Sequence, residues 1–434
     1  MELAEANQKL TRDQKEAIGL LSIGTFLEYF DLMLYVHMAV LLNELFFPEA
    51  DPKTASIIAA MSFCSTFLFR PIGALIFGYI GDTFGRKNTV VLTTFLMSGT
   101  CLLMASVPTY AEIGYSAAII VTICRIVQGM SSMGEKVGAE LYLTESTKAP
   151  MRYPLVAMIN VFSALGAVGA LGAASIFTMY GLNWRYAFVF GAGIALIGTF
   201  ARTALRETPD FADAKRKLKE DLNELGGDIK LKTKSLLREK TPTKTLVSYF
   251  LLQCARPVCF YFVYVHCANI LTNNFNCTPE EIIHHNLVVA VIDFLGITFL
   301  TYLSYYIHPL KIVKTIAIIF TVSLIFVTYG LSHITSPFQL MLLQCFFCLL
   351  AIDTAPAAPV FLIHIPVFKR FTVSTLLYAL SRALIYFATS FGFVYFTDQF
   401  NDFGLLIIMI PVIIGFFYAI LHFEKLEKKA GNYY

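Results

Sequence analysis

The sequence predicts an all-α membrane protein with twelve transmembrane helices arranged as two pseudo-symmetric six-helix bundles. The first observation is compositional: of 434 residues, 57% are hydrophobic and 15% are charged, and the mean hydropathy is +0.66. A soluble protein has too little interior to bury that much apolar surface. The second observation is a series of apolar runs of about 20 residues or more, which is the length that crosses a bilayer. The third is the single long polar segment, residues 207–243, which divides those runs six and six.

Each predicted helix follows one apolar run. The predicted helices span roughly residues 17–43, 54–80, 88–107, 111–143, 153–180, 186–206, 244–272, 280–307, 310–333, 336–365, 370–397 and 402–423. We therefore assign residues 1–206 to an N-terminal bundle, 207–243 to a cytoplasmic linker and 244–434 to a C-terminal bundle. Two six-helix halves of this kind place a binding site near the midplane, where the halves meet.

The distribution of basic residues predicts the orientation. Of the 33 lysines and arginines, we place only Lys53 and Arg185 on the outer side, and five others fall inside helices. The rest lie in segments that alternate to one side, so both termini are expected in the cytoplasm. Residues 1–16 are polar and mixed in charge, and no cleavable leader is expected. The net charge of +3 is small and does not favour nucleic acid as a partner.

Motifs for metal, redox or covalent chemistry are not found in the sequence. Eight of the nine cysteines fall within apolar spans, and only Cys277 does not. Cys345 and Cys348 form a C-x-x-C pattern in a helix without a second pair, which favours small apolar packing over a metal site. A nucleophile–base constellation and a Walker-type loop are also missing. The sequence therefore predicts neither an enzyme nor a bound cofactor, and any transport would use an ion gradient.

A Gly-spaced helix end followed by a charged turn, residues 70–87, is the most distinctive stretch. Gly73, Gly78 and Gly81 leave one helix face bare, so a neighbouring backbone can come close. The acid that follows lies where the next helix begins, near free N–H groups and the positive helix end. A further glycine allows a tight turn, and two bases hold the loop in the cytoplasm. The predicted gating-loop residues are Gly78, Asp82, Gly85, Arg86 and Lys87.

The first helix carries two carboxylates, Glu28 and Asp31, which share one face with Tyr35. Carboxylates inside a membrane span are costly, and they therefore indicate function. A buried carboxyl that loads and releases a proton is one interpretation. A carboxylate locked in a structural ion pair is the other.

The fourth helix carries Arg125 near its middle, followed by Gln128 and, closer to the cytoplasm, by Glu135. A lone guanidinium at that depth needs a partner or an anion. Asp31 lies at similar depth and is our first choice, because its protonation would release Arg125 and bias a two-state element. Lys136 either snorkels or pairs with a neighbouring glutamate.

The second half holds four buried charges near mid-depth. They are Arg256, Asp293, Asp353 and Arg382. Tyr261 and Tyr264 follow the first arginine and could line the same cavity, and prolines after Asp353 are expected to break the tenth helix and expose carbonyls. Internal pairing of Arg256 with Asp293 and of Arg382 with Asp353 is the alternative to substrate binding.

The motifs together resemble the major facilitator superfamily. Residues 78–87 match its G-x-x-x-D-x-x-G-R-[RK] loop, and Arg125 to Gly129 matches its R-x-x-Q-G motif, whose arginine is linked to proton coupling. The strings W-R-x-x-F from Trp184 and R-E-T-P-x-F from Arg206 are similar to the metabolite–proton symporter branch. That branch includes carriers of proline and betaine, and of shikimate, oxoglutarate and citrate. The resemblance covers residues 1–211 well, whereas the corresponding second-half loop has Tyr305 and His308 in place of Asp and Gly.

The resemblance implies a proton-coupled secondary transporter in the cell membrane, as in a bacterial inner membrane. The proton-coupling residues would be Asp31, Arg125, Glu28 and Glu135, and the substrate-binding residues would be Tyr35, Gln128, Arg256, Tyr261, Tyr264, Asp293, Asp353 and Arg382. Three mid-depth arginines favour an anionic carboxylate, polycarboxylate or citrate-derived siderophore as the imported solute. A zwitterionic osmolyte held by aromatic rings is one alternative. A transport-inactive membrane sensor of the same fold is another, and the oligomeric state stays open.

Overall fold

The computed structural model describes residues 11–47, 63–84, 86–134, 136–180, 183–203 and 242–433. Within these ranges every regular element is a helix. The helices of the first half are α1 (Arg12–Phe46), α2 (Arg70–Phe84), α3 (Arg86–Ser106), α4 (Tyr110–Ile113), α5 (Tyr115–Ser131), α6 (Lys136–Ser146), α7 (Arg152–Met179) and α8 (Arg185–Thr203). Those of the second half are α9 (Thr243–Tyr261), α10 (Cys267–Phe275), α11 (Pro279–Leu303), α12 (Pro309–Leu331), α13 (Pro337–Leu350), α14 (Ala358–Ile363), α15 (Val367–Phe400) and α16 (Leu406–Ala430).

In the described part of the chain, each predicted apolar run corresponds to one helix or to two or three helices that follow each other. A 3₁₀ turn, Ser132–Gly134, joins α5 to α6, and a π-helical turn, Phe262–His266, joins α9 to α10. In the described part of the chain, nine segments are long and apolar enough to cross a membrane, and one of them contains both α15 and α16. Residues 54–62 of the predicted second run and almost all of the predicted linker lie outside the described residues.

Proline and polar caps begin three helices of the second half. Pro279, Pro309 and Pro337 each occupy the first turn, where a missing N–H costs nothing because that group has no helical acceptor. Before α11, the Thr278 hydroxyl accepts the Glu281 N–H at 3.3 Å, and the Glu281 carboxylate accepts the Thr278 N–H at 2.8 Å. This reciprocal capping box explains why the predicted and observed starts of α11 agree within one residue.

Glycine allows the helices of the first half to pack closely. A Cβ at Gly73 would lie 2.6 Å from the Cα of Met130, and one at Gly166 would overlap the carbonyl of Phe26. Gly169 lies against the rings of Phe26 and Phe30. Gly166 and Gly169 therefore let α7 approach α1 closely, whereas no described atom lies within 4 Å of a Cβ at Gly172.

The two halves contact each other at both ends of the bundle. Near the junction of α2 and α3, which we call the α2–α3 end, Arg370 donates to the Glu145 carboxylate at 3.2 Å. At the opposite end, Ser175 of α7 and the His284 ring of α11 form a 2.7 Å hydrogen bond, and Phe63 packs edge-on against Tyr261. The two halves are therefore in contact at both ends, with a space between them.

Candidate functional site

A cavity of about 100 Å³ lies between the two halves. Its walls come from α1, α2, α6 and α7 on one side and from α9, α11, α15 and the break after α13 on the other. Four cationic and three acidic side chains line it: Arg70, Lys136, Arg256 and Arg382, with Glu140, Asp293 and Asp353. So many charges inside an apolar bundle are costly and mark a functional site.

Three of the cations form what we call the basic pole, namely Arg70, Lys136 and Arg382. The Arg382 guanidinium lies 3.5 Å from the centroid of the Tyr378 ring, and the Lys136 ammonium lies 5.7 Å from that centroid. The Tyr378 hydroxyl is 3.3 Å from that of Tyr29, which joins the two halves across the cavity. Aromatic faces stabilise these cations by cation–π attraction, but they do not neutralise them.

A proline in α9 provides the backbone carbonyl that positions Arg382. Pro257 lies inside α9 and has no N–H, so the carbonyl of Gln253, four residues earlier, loses its helical donor. Nη1 of Arg382 donates to that carbonyl at 2.8 Å and also lies 3.3 Å from the Gln253 side-chain oxygen. Neutral oxygens therefore hold Arg382, and its charge stays available to an anion.

Arg70 is the least compensated cation of the basic pole. The residue is 3% exposed, and its guanidinium packs 4.4 Å from the centroid of the Phe67 ring. Among the described residues, its buried Nε and Nη2 atoms have no hydrogen-bond partner. Leaving charged donors unpaired in a buried site is costly, so the arrangement favours a bound anion.

The remaining cation belongs to what we call the acidic pole, Arg256 with Asp293 and Asp353. Nη2 of Arg256 donates to Asp293 at 2.5 Å, and its Nε lies 3.5 Å from a carboxylate oxygen of Asp353. Asp353 lies in the predicted break of the tenth helix, because α13 ends at Leu350 and regular structure resumes only at Ala355. The predicted helix break and the Arg256–Asp293 ion pair are both present.

A second polar cluster lies within the first half, outside the cavity lining. The Cys101 thiol donates to Asp31, and the Gln128 amide donates to the Cys101 sulfur at 3.3 Å. Arg125 donates to the Gln128 oxygen at 3.1 Å and stacks 3.7 Å from the centroid of the Tyr35 ring. Asp31 and Arg125 are therefore linked through Cys101 and Gln128, and we call these residues with Tyr35 the coupling cluster.

Cys101 and Gln128 connect Asp31 with Arg125 through hydrogen bonds, and the predicted coupling role of the two residues stays a prediction. The alternative pairing of Arg382 with Asp353 is wrong. Arg256 takes both carboxylates of the acidic pole, while the carbonyl freed by Pro257 holds Arg382.

Of the predicted substrate-binding residues, five line the cavity and three do not. The five are Arg256, Tyr264, Asp293, Asp353 and Arg382. Tyr35 and Gln128 face the coupling cluster instead, since both lie against Arg125. Tyr261, the last residue of α9, packs edge-on against Phe63 and Phe393, whereas Tyr264 of the π-helical turn lines the cavity.

The glutamates of the first half have different surroundings. Glu28 is 4% exposed on α1 and is not among the residues that line the cavity. Glu140 lines the cavity and accepts a 3.0 Å hydrogen bond from the Asn160 amide. The other predicted coupling glutamate, Glu135, lies outside the described residues.

The predicted gating loop is only partly described. Gly78 packs near Thr372 of α15, to which a Cβ would come within 3.4 Å. Gly85 lies outside the described residues, as do the side chains of Asp82, Arg86 and Lys87, so their gating role stays a prediction.

At the α2–α3 end, Arg370 also donates to the carbonyls of Ile363 and Ile365, at 3.2 and 2.8 Å. His308, which replaces a loop glycine of the resemblance, caps α12 by accepting the Leu310 N–H at 3.3 Å. Burial lowers the pKa of His308, which suits a neutral ring that accepts this bond. Its ring centroid lies 6.0 Å from that of Tyr153 in the other half, so the altered loop still takes part in contact between halves.

Sequence reasoning did not assign most of the polar cavity lining. The residues without an assigned role are Arg70, Lys136, Glu140, Asn160, Ser163, Gln253, Thr354, Tyr378 and Tyr386. The available signal was that Arg70 and Lys136 are cations inside predicted helices, which indicates function by default.

A helical bundle with a charged cavity between its two halves has the layout in which secondary transporters place a binding site. The chain belongs to the Major Facilitator Superfamily, whose family model matches residues 21–423. The predictions of the family and of its twelve-helix fold are thereby confirmed.

Known proteins resemble the chain over different extents. It is 29% identical over 293 residues to a proline/betaine transporter of Salmonella typhimurium, covering 66% of this chain and 57% of that protein. It is 34% identical over 218 residues to the inner membrane metabolite transport protein YhjE of Escherichia coli, covering 47% of this chain and 49% of that one. The chain thus spans little more than half the length of the relatives it matches.

Solved structures share the fold at low sequence identity. The proton:xylose symporter XylE superposes with a TM-score of 0.73 at 15% identity, and the match covers 94% of this chain and 95% of that one. At this identity the likeness establishes the fold alone.

Proposed function

We propose that the protein is a proton-coupled symporter that imports a small zwitterionic carboxylate by alternating access. One observation carries the proposal: Arg70 is buried in the cavity wall, and its Nε and Nη2 atoms have no hydrogen-bond partner among the described residues. The basic pole holds three cations against one nearby acid, Glu140. A carboxylate offers oxygens that guanidinium groups bind in a bidentate way.

Cavity size and charge favour a zwitterion over the polycarboxylate or siderophore expected from the arginine count. A volume of about 100 Å³ is far below the roughly 300–1,000 Å³ of pockets for drug-sized ligands. Two aspartates already occupy Arg256, so it is not available to a second solute carboxylate. The names of the proline/betaine transporters among the relatives support the same choice.

The coupling cluster supports proton coupling. Asp31 is 2% exposed and Arg125 is 1% exposed, and hydrogen bonds through Cys101 and Gln128 connect them. Protonating Asp31 neutralises the carboxylate to which the Cys101 thiol donates. The hydrogen bonds that run from Asp31 through Cys101 and Gln128 to Arg125 are then polarised differently. A change of this kind biases two conformations only if they differ in proton affinity, as alternating access requires.

The proposed transporter has the domains and the membrane orientation predicted from the sequence. Residues 1–206 and 244–434 form the two moving halves, 207–243 links them, and both termini lie in the cytoplasm of a bacterial inner membrane. Contacts between the halves at both ends of the cavity support an occluded state on the transport cycle.

Uptake and competition in proteoliposomes test the proposal. With an inward proton gradient, labelled glycine betaine or proline is expected to accumulate, and unlabelled zwitterions should compete while di- and tricarboxylates should not. If only tricarboxylates competed, the proposal that the solute is a zwitterion would be contradicted. Binding of a zwitterion without transport would instead identify a sensor that kept the fold.

A further inference from the structure

The acidic pole carries more negative than positive charge. Arg256 contacts Asp293 at 2.5 Å and Asp353 at 3.5 Å, so one guanidinium faces two carboxylates. When all three groups are ionised, one negative charge is left over. A buried surplus charge is costly unless a counter-charge compensates it.

One carboxylate oxygen of the acidic pole is available. Asp293 is 6% exposed and lines the cavity, and its buried Oδ1 has no hydrogen-bond partner among the described residues. The corresponding oxygen of Asp353 is occupied, because it accepts the Ala355 N–H at 2.8 Å. The surplus acceptor capacity is therefore on Asp293.

Two further features around the acidic pole favour a cation. Helix α13 ends at Leu350, just before Asp353, and the carboxyl end of a helix carries partial negative charge. Aromatic rings form the adjacent cavity wall: the centroid of Phe260 lies 5.0 Å from that of Tyr264 and 6.2 Å from that of Tyr386. Ring faces attract alkylated ammonium groups, which cannot donate hydrogen bonds.

The two poles are neighbours along α9. Gln253 holds Arg382 of the basic pole, and Arg256 follows three residues later on α9. At 1.5 Å of rise per residue, the two anchor points differ by about 4.5 Å along the helix. The two anchor points therefore lie within one helical turn of each other, so one small molecule can face both poles.

We propose that Asp293, Arg256 and Asp353 form the subsite for the cationic nitrogen of the transported solute, with Asp293 Oδ1 nearest the charge. This assignment rests on the proposed function, which places the solute carboxylate at the basic pole. The subsite selects zwitterions because a neutral group there leaves the surplus carboxylate charge uncompensated.

A matched pair of ligands tests the subsite. Glycine betaine and 3,3-dimethylbutyrate have the same shape and carboxylate, but a neutral carbon replaces the quaternary nitrogen in the second. Equilibrium binding of each is measured with purified protein in nanodiscs. Wild-type protein should prefer betaine by about tenfold or more. In Asp353→Asn, the preference should collapse because betaine affinity falls, while 3,3-dimethylbutyrate affinity stays within about threefold.

The variants separate charge from folding. Asparagine keeps an oxygen that accepts the Ala355 N–H, and Asp293→Asn provides a second test at the other carboxylate. Asp398→Asn, at an exposed residue outside the cavity, is the matched control. Equal wild-type affinities for the two ligands, or an equal loss of both in Asp353→Asn, would overturn the subsite while leaving carboxylate transport intact. If wild-type protein bound neither ligand, the proposed function would fail with it.

Discussion

Asp31→Asn is expected to abolish proton-driven accumulation and to preserve solute exchange. Asn fits the same space and still accepts the bond from the Cys101 thiol, but it cannot carry a proton. The coupling cluster lies outside the cavity lining, so the solute contacts should survive. In proteoliposomes with an imposed proton gradient, the internal solute concentration should rise only to the external value, while counterflow stays within about threefold of wild type.

Glu112→Gln is the matched control for Asp31→Asn, because Glu112 is an exposed carboxylate in the first turn of α4. This control should accumulate solute as the wild type does. Unchanged uphill accumulation by Asp31→Asn would remove Asp31 from the coupling role. Loss of both accumulation and counterflow would show that Asp31 is needed for the conformational change of transport and not only for proton coupling.

Arg70→Gln should produce the second large effect, a loss of affinity for any ligand that binds through a carboxylate. A hydrogen bond to a charged group contributes about 1.5–3 kcal/mol, so the affinity should fall by roughly 10- to 150-fold. Protein stability should not fall in parallel, because the buried Nε and Nη2 atoms have no partner among the described residues that the substitution would orphan. Glycine betaine binding to purified protein, together with its melting temperature, measures both effects.

Arg12→Gln is the control for Arg70→Gln, since Arg12 is exposed at the start of α1, and it should change neither quantity. Betaine affinity that survives Arg70→Gln would show that the carboxylate binds elsewhere. A fall in melting temperature that matches the affinity loss would make Arg70 a structural residue.

The helices were predictable because apolar runs of membrane length leave little choice of structure. The starts of α11, α12 and α13 were also predictable, since a capping residue followed by proline marks each of them. The π-helical turn Phe262–His266 was not, because it depends on how α9 packs rather than on a local propensity.

The site was predictable as a set of charged residues but not as a set of contacts. Counting from helix ends placed Arg256, Asp293 and Asp353 at one depth, and they do meet. It could not show that Pro257 frees a carbonyl for Arg382, which decides the pairing of both arginines. It also could not identify Cys101, whose thiol resembles any small apolar side chain until Asp31 lies beside it.

Solute-driven proton movement tests coupled transport most directly. Proteoliposomes are prepared without a pH gradient, with the membrane voltage clamped by potassium and valinomycin and with a pH-sensitive dye inside. Adding glycine betaine outside should acidify the interior of vesicles that contain wild-type protein, and the same addition to Asp31→Asn vesicles should not. Entry of labelled betaine into wild-type vesicles without any change of internal pH would contradict proton symport.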